Sequence, residues 1–155
     1  MNRRMESTSQ RPPLWSGLNH DTVSAILADA ENRWARTGQV LQTAGQPGTR
    51  LFLVRNGRAR YYHITASGDE ILLRILAPGD VFGLVALLTR PMQYMVNVDA
   101  ISDCDLLSWG HRTIRSFVSS HPQLAENALH ISLGYLKAYV PSRRQRKEVF
   151  SAQAG

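Results

Sequence analysis

Apolar positions change their period twice along this chain. Val23, Ile26, Leu27 and Ala30 fall at i, i+3, i+4 and i+7, which predicts an amphipathic helix. Asn19 or Asp21 can cap it, and it is expected to run to about Glu31. Trp15 and Leu18 stand ahead of it as an apolar anchor. The period then becomes strand-like. Short β-favouring runs alternate with turn signals at Gly38, Gly45-Gln46-Pro47-Gly48, Asn56-Gly57, Ser67-Gly68-Asp69 and Pro78-Gly79-Asp80. The predicted strands are Val40–Gln42, Leu51–Val54, Arg58–Ile64 and Glu70–Leu76, followed by two more near Tyr94–Ala100 and Asp105–Trp109. Turns at roughly ten-residue spacing predict a β-sandwich or barrel.

After the last strand the helical period returns. Ile114, Phe117 and Val118 suit a short amphipathic helix, and His121-Pro122 marks the start of another. A longer helix from Leu124 is expected to run to about Val140, where Pro141 stops it. It carries two apolar stripes stepping by four then three. One is Leu124, Ala128, Ile131, Tyr135 and Ala138; the other is Ala125, Leu129, Ser132, Leu136 and Tyr139. One buried stripe suffices for a helix lying on a single body. Two predict either a second chain packed on the helix or burial on two sides within one chain.

Composition narrows the picture. The 155 residues suit one domain, 43% hydrophobic and 19% charged, and no apolar run approaches a membrane span of ~20 residues. Cys104 is the only cysteine, which excludes an internal disulfide or an all-cysteine iron–sulfur cluster in one chain. The start, Met1-Asn2-Arg3-Arg4-Met5-Glu6, has no signal-peptide core, and a cytoplasmic location is expected. The net charge of +6 sits mostly at the ends. Arg3, Arg4 and Arg11 face Glu6 in one tail, and Arg143, Arg144, Arg146 and Lys147 face Glu148 in the other. The expected division is a disordered tail at 1–13, a domain at 14–140 with its long helix at about 122–140, and a basic tail at 141–155. Such a tail is either a solvated end or a non-specific attractor of phosphates.

The order of elements, a helix, a glycine-punctuated roll with one helical turn inside it and a long final helix, resembles the sensor domain of Crp/Fnr-family bacterial transcription regulators. Leu14-Trp15-Ser16-Gly17-Leu18 resembles its entry segment. Gly38-Gln39-Val40-Leu41, Gly45 and Leu51 through Arg60 resemble its early strands. Leu76-Ala77-Pro78-Gly79-Asp80-Val81-Phe82-Gly83 resembles the approach to the phosphate-binding cassette of cyclic-nucleotide-binding domains, and His121 through Glu126 the start of the dimerisation helix. The resemblance implies a mainly β fold with flanking helices. This is a double-stranded β-helix, or jelly roll, with a long C-terminal dimerisation helix.

Two departures bear on function. The family pattern places a glutamate for the ribose hydroxyl after the second cassette glycine, where Leu84 stands. It places an arginine for the cyclic phosphate about ten residues on, where Tyr94 stands, followed by Met95. Arg90 lies nearby, across Pro91. Leucine accepts no hydrogen bond and tyrosine is uncharged at neutral pH, so cyclic nucleotide is not the expected ligand. The candidate ligand-binding residues are Phe82, Gly83, Leu84, Val85, Arg90, Tyr94 and Met95. They line an occupiable pocket for a small, partly apolar ligand such as a carboxylate, attracted by the backbone N–H groups near Gly83, Leu84 and Val85, or else close it into a filled core. The candidate dimerisation residues are Leu129, Ser132, Tyr135, Leu136 and Tyr139. The family also continues into a winged helix-turn-helix domain, for which the residues after Pro141 are too few. The chain is thus expected to be a truncated regulator or a stand-alone sensor, with any DNA contact made through a domain it lacks.

No cofactor is expected. Haem would need an axial ligand from His63, His111, His121, His130 or Cys104, each of which also reads as a structural residue. The strands hold one histidine, His63, and no His-x-His pair, so neither a metal site nor a cupin-like enzyme is expected. The expected function is ligand sensing in a homodimeric Crp/Fnr-like regulator, with a small-molecule effector and no membrane. The alternative is a ligandless dimerisation or interaction protein.

Overall fold

The computed structural model describes residues 11–90 and 92–139. Residues 1–10 of the tail expected at 1–13, the basic tail at 141–155 and the expected helix end at Val140 lie outside the described residues. A 3-10 turn at Pro13–Trp15 leads into α1 (His20–Ala28), and the Asn19 side chain caps α1 by accepting the Thr22 N–H at 2.8 Å. Eight strands follow: β1 (Glu31–Ala35), β2 (Val40–Gln42), β3 (Arg50–Asn56), β4 (Ala59–Ile64), β5 (Glu70–Leu76), β6 (Val81–Phe82), β7 (Asn97–Ala100) and β8 (Cys104–Gly110). Leu84–Leu87 forms a 3-10 turn between β6 and β7. Helices α2 (His111–Ser120) and α3 (Gln123–Tyr139) complete the fold.

The strands form two four-stranded sheets, ordered β1-β8-β3-β6 and β2-β7-β4-β5, with antiparallel pairing throughout. This is the expected mainly β roll with flanking helices. The first sheet is covered on both faces. Leu51 and Leu53 of β3 join a core under the helices, with Trp15, Ile26, Trp109, Ile114 and Leu124. Phe52 and Val54 join a second core between the sheets, with Phe82, Val98, Leu106 and Tyr135. Double burial explains why β3 reads as an unbroken apolar run. The Trp109 indole N–H donates to the Ile26 carbonyl at 2.7 Å, tying β8 to α1, and its ring meets Trp15 edge-on with centroids 5.8 Å apart.

Two expectations are corrected. The first helix ends at Ala28, and Glu31–Ala35 is a strand that the sequence pattern does not announce. Only Ala35 of β1 is buried, so no alternation marks it; its pairing with β8 makes it a strand. The other expectation concerns Tyr135, expected on the dimer-facing side of the long helix. It is buried against its own domain, 8% exposed, with Leu124 and Ala128 of the same stripe. The second stripe faces outward, with Leu129 59% and Leu136 51% exposed.

Candidate functional site

The site is built around Gly83. Its φ of +79° lies in the left-handed region, and a Cβ there would collide with the Arg50 carbonyl. Glycine lets the end of β6 turn tightly beside β3 into the Leu84–Leu87 turn. The first bond inside that turn runs from the Ala86 N–H to the Gly83 carbonyl, 3.0 Å. The N–H groups of Leu84 and Val85 precede it, so the turn itself offers them no carbonyl. Helix α2 fixes the turn from behind. His111 donates through Nδ1 to the Ala86 carbonyl at 2.8 Å, and Arg115 donates to the Leu87 carbonyl at 2.9 Å.

Tyr94 occupies the place where the resemblance implies an arginine. Its hydroxyl accepts the Arg50 N–H and donates to the Arg50 carbonyl, both at 3.0 Å. Its backbone pairs with Gln46 and Gly45 at 2.9 Å each. Tyr94 is thus a strut locking the 92–96 segment to the loop before β3, and burial pushes its phenol pKa up. Its hydroxyl is already committed to the protein.

A cavity of about 430 Å³ opens between the sheets and α3, a size typical of small-molecule sites. Phe82, Gly83, Leu84, Val85, Tyr94, Met95 and Val96 form one side, Tyr61, His63 and Leu73 another, and Ser132, Tyr135 and Leu136 of α3 the third. Phe82 is held by stacking on Phe52, with centroids 4.8 Å apart and rings 10° from parallel. Among the described residues, the lining contains no Asp, Glu, Lys or Arg. Six of the seven candidate ligand residues are therefore brought together. Arg90 is exposed and does not line the cavity, and Met95 sits at its mouth, 71% exposed.

Gln42, Tyr61 and Tyr135 are among the lining residues that the sequence pattern does not place in the cavity. Gln42, 4% exposed, donates through its side-chain amide to the Val96 carbonyl at 3.0 Å, while its Oε1 has no partner. Tyr61 meets the Tyr135 ring at 5.2 Å, and burial raises its pKa. Tyr135 belonged to the expected dimer surface, yet it forms part of the cavity wall and donates to the Val81 carbonyl at 2.7 Å. Burial raises its pKa strongly. Across Tyr135 lies a second cleft of about 280 Å³, where Arg74 pairs with Asp80 at 3.1 Å and stands 4.8 Å above the Tyr135 ring. Period-two and period-four patterns mark which residues are apolar; they carry no signal for a buried amide or for a tyrosine serving a cavity wall.

Of the dimerisation candidates, Leu129, Ser132 and Leu136 are exposed along α3. Tyr139 ends that helix, and its side chain lies outside the description. Of the haem-ligand candidates, His63 lines the cavity, whereas the His111 ring is bonded to Ala86. His130 stands exposed beside Glu126, 3.9 Å away, and His121 closes α2 as its C-cap. The Cys104 thiol is buried and directed at the Arg58 and Ser102 carbonyls, each 3.3 Å away, and burial pushes its pKa up. Among the described residues no three His, Cys, Asp or Glu side chains cluster as metal ligands. No described helix is long and apolar enough to cross a membrane.

Known proteins share this architecture. The chain is 22% identical over 127 residues to the CRP-like cAMP-activated global transcriptional regulator of Mycobacterium tuberculosis, covering 82% of this chain and 56% of that protein. It is 28% identical over 115 residues to the cyclic AMP receptor protein of Thermus thermophilus, covering 74% and 53%. It thus spans about half the length of these curated relatives. The crystal structure of Thermus thermophilus catabolite activator protein superposes with a TM-score of 0.69 at 27% identity, over 92% of this chain and 62% of that one. The N-terminal domain of a Streptomyces coelicolor transcriptional regulator shares the fold with a TM-score of 0.66 at 24% identity, over 82% of this chain and 90% of that one. The profile of the cyclic nucleotide-binding domain matches residues 32–121, more than half of the sequence. With the roll, the turn at Gly83 and the cavity beside it, that match establishes that the chain belongs to the cyclic nucleotide-binding domain family and has CRP-like regulators among its relatives.

Proposed function

We propose that this chain is the ligand-sensing domain of a Crp-like transcriptional regulator that answers to a small molecule other than cyclic AMP. One observation carries the reading: the cavity is walled by the Gly83 turn on one side and by Ser132, Tyr135 and Leu136 of α3 on another. A bound molecule touches both. It shifts α3 between two arrangements to the extent that it binds one better than the other. The outward row Leu129, Leu133 and Leu136 is the seam with the same helix of a second copy. DNA contact in the assembled regulator falls to a domain outside these residues. The chain performs no catalysis, needs no haem or metal, and works in the cytoplasm.

The exclusion of cyclic AMP rests on chemistry at two positions. Leu84 offers the ribose no acceptor, and the Tyr94 hydroxyl is spent on the Arg50 backbone. Among the described residues, no guanidinium lines the cavity to pair with a cyclic phosphate. Two lost directional contacts lower affinity by about 10³-fold. Calorimetric titration with cyclic AMP is expected to give no saturable binding below millimolar concentration. A micromolar dissociation constant overturns the reading. Light scattering is expected to give the mass of a dimer.

A further inference from the structure

The side-chain amide of Gln42 is the most informative group in the cavity. Its NH₂ donates to the Val96 carbonyl at 3.0 Å, and a carbonyl accepts only from a donor. That bond fixes the orientation of the amide and leaves Oε1 as its free end. Oε1 is buried and unpartnered, on a side chain that belongs to the cavity lining, and it would stand 3.5 Å from a Cβ at Gly83. Buried acceptors without partners are rare in folded proteins and call for an explanation. The Tyr61 hydroxyl and the His63 ring, also in the lining, are not bonded to it, and three other hydroxyls are spent elsewhere. The Tyr94 hydroxyl donates to the Arg50 carbonyl, the Ser132 hydroxyl to the Ala128 carbonyl and the Tyr135 hydroxyl to the Val81 carbonyl. The remaining wall is mostly apolar, from Phe82, Leu84, Val85 and Leu73, with no Arg, Lys, Asp or Glu among the described residues.

We infer that the cavity takes an uncharged, largely apolar molecule whose single key polar group is an N–H or O–H donor directed at Gln42 Oε1. Buried Oε1 beside apolar walls selects for that class. A phosphate or carboxylate would bring a charge into a site whose described lining holds no Lys or Arg, and at Gln42 its oxygens would face an acceptor. A pure hydrocarbon would leave Oε1 unpaired. Specificity of this kind is strong, because a molecule lacking the donor leaves the protein's own polar group stranded. Gln42 comes from β2, the cassette from the β6–β7 segment, and Tyr135 and Leu136 from α3, so one ligand of this shape reports to all three.

This inference rests on the sensor reading, and its test separates the two. The full chain is titrated by calorimetry with isosteric pairs that differ only in the donor: indole against benzofuran, and 2-naphthol against 2-fluoronaphthalene. Cyclic AMP is a further arm. The expected result is binding of at least one donor-bearing probe, about tenfold or more tighter than its isostere. In Gln42→Leu that ratio is expected to collapse towards one while the apolar probes still bind. Equal binding within both pairs overturns the donor requirement and leaves an apolar sensor standing. Failure of all four probes to bind the folded chain at millimolar concentration overturns the inference and the open cavity together. Tight binding of cyclic AMP overturns the uncharged class. If Gln42→Leu does not fold, the pairs on the unaltered chain still decide the question.

Discussion

The two halves of α3 are held in different ways. The first half is embedded. Leu124 is fully buried, and the Asn127 side chain donates to the Leu14 carbonyl at 2.9 Å and the Ser16 carbonyl at 2.7 Å while Gln123 donates to its Oδ1 at 2.9 Å. The second half lies across a cavity. Its main attachment to the roll is Tyr135, through one hydrogen bond to Val81 and ring contacts with Tyr61 and Arg74. Gly134 sits beside that anchor, and an added Cβ there would meet nothing within 4 Å. One helix therefore combines a fixed root with a loosely clamped end, and the clamp is where a ligand would touch it. A difference in local stability along one element is the physical basis for moving part of it.

Substitutions can break or sharpen this contrast. Leu124→Ala is expected to have the largest effect, lowering stability by about 2–5 kcal/mol in urea unfolding, because a fully buried leucine leaves a cavity. A loss like that of a surface leucine would erase the distinction between the halves. Asn127→Ala strands two carbonyls of the entry turn and is expected to cost about 2–3 kcal/mol by the same measurement. Tyr135→Phe removes one bond and should cost about 1 kcal/mol near neutral pH.

Tyr135 also carries a pH signature. Burial raises its folded-state pKa above the value of about 10 for free tyrosine. The stability this contributes is complete below pH ~10 and is lost as pH rises towards the folded-state value. The alkaline fall in urea midpoint should therefore be shallower in Tyr135→Phe. Gly134→Ala should stabilise the chain by up to about 1 kcal/mol if the second half of α3 is limited by its own backbone. Destabilisation instead would show that close approach at Gly134 is needed. Leu136→Glu should change the stability of one chain least, by under about 0.5 kcal/mol, yet give the mass of a monomer in light scattering where the proposed seam makes the unaltered chain a dimer.

Much of this contrast is visible in the amino-acid pattern, and the reasons it is incomplete are specific. Both stripes of α3 follow from their spacing. Which stripe faces inward does not, because Leu124 and Leu129 are equally apolar; Asn127 and Tyr135 decide it through their bonds to distant carbonyls. The turn glycines and the runs in β3, β4 and β5 place the roll. β1 escapes because four of its five residues are exposed and only the partner strand makes it regular. In the cavity, Leu84, Val85 and Met95 are found through their place after Gly83. Tyr94 can be placed but not understood, since its role depends on Arg50, far away in sequence. Gln42 has no local signature at all: a glutamine at the end of a short strand is ordinary until its two ends are seen to have different fates.

The order of the first sheet also governs when this molecule can exist. β8 lies between β1 and β3, and residues 31–35 pair with residues 104–108. During synthesis, β1 lacks its sheet partner, and β3, paired with β6 on one side, lacks the other, until the chain has been made through Gly110. Closing so long a loop is slow, and waiting edges are open to pairing with other chains. The first sheet therefore closes late, and a nascent chain halted before β8 would be expected to be recognised as unfinished by chaperones and proteases.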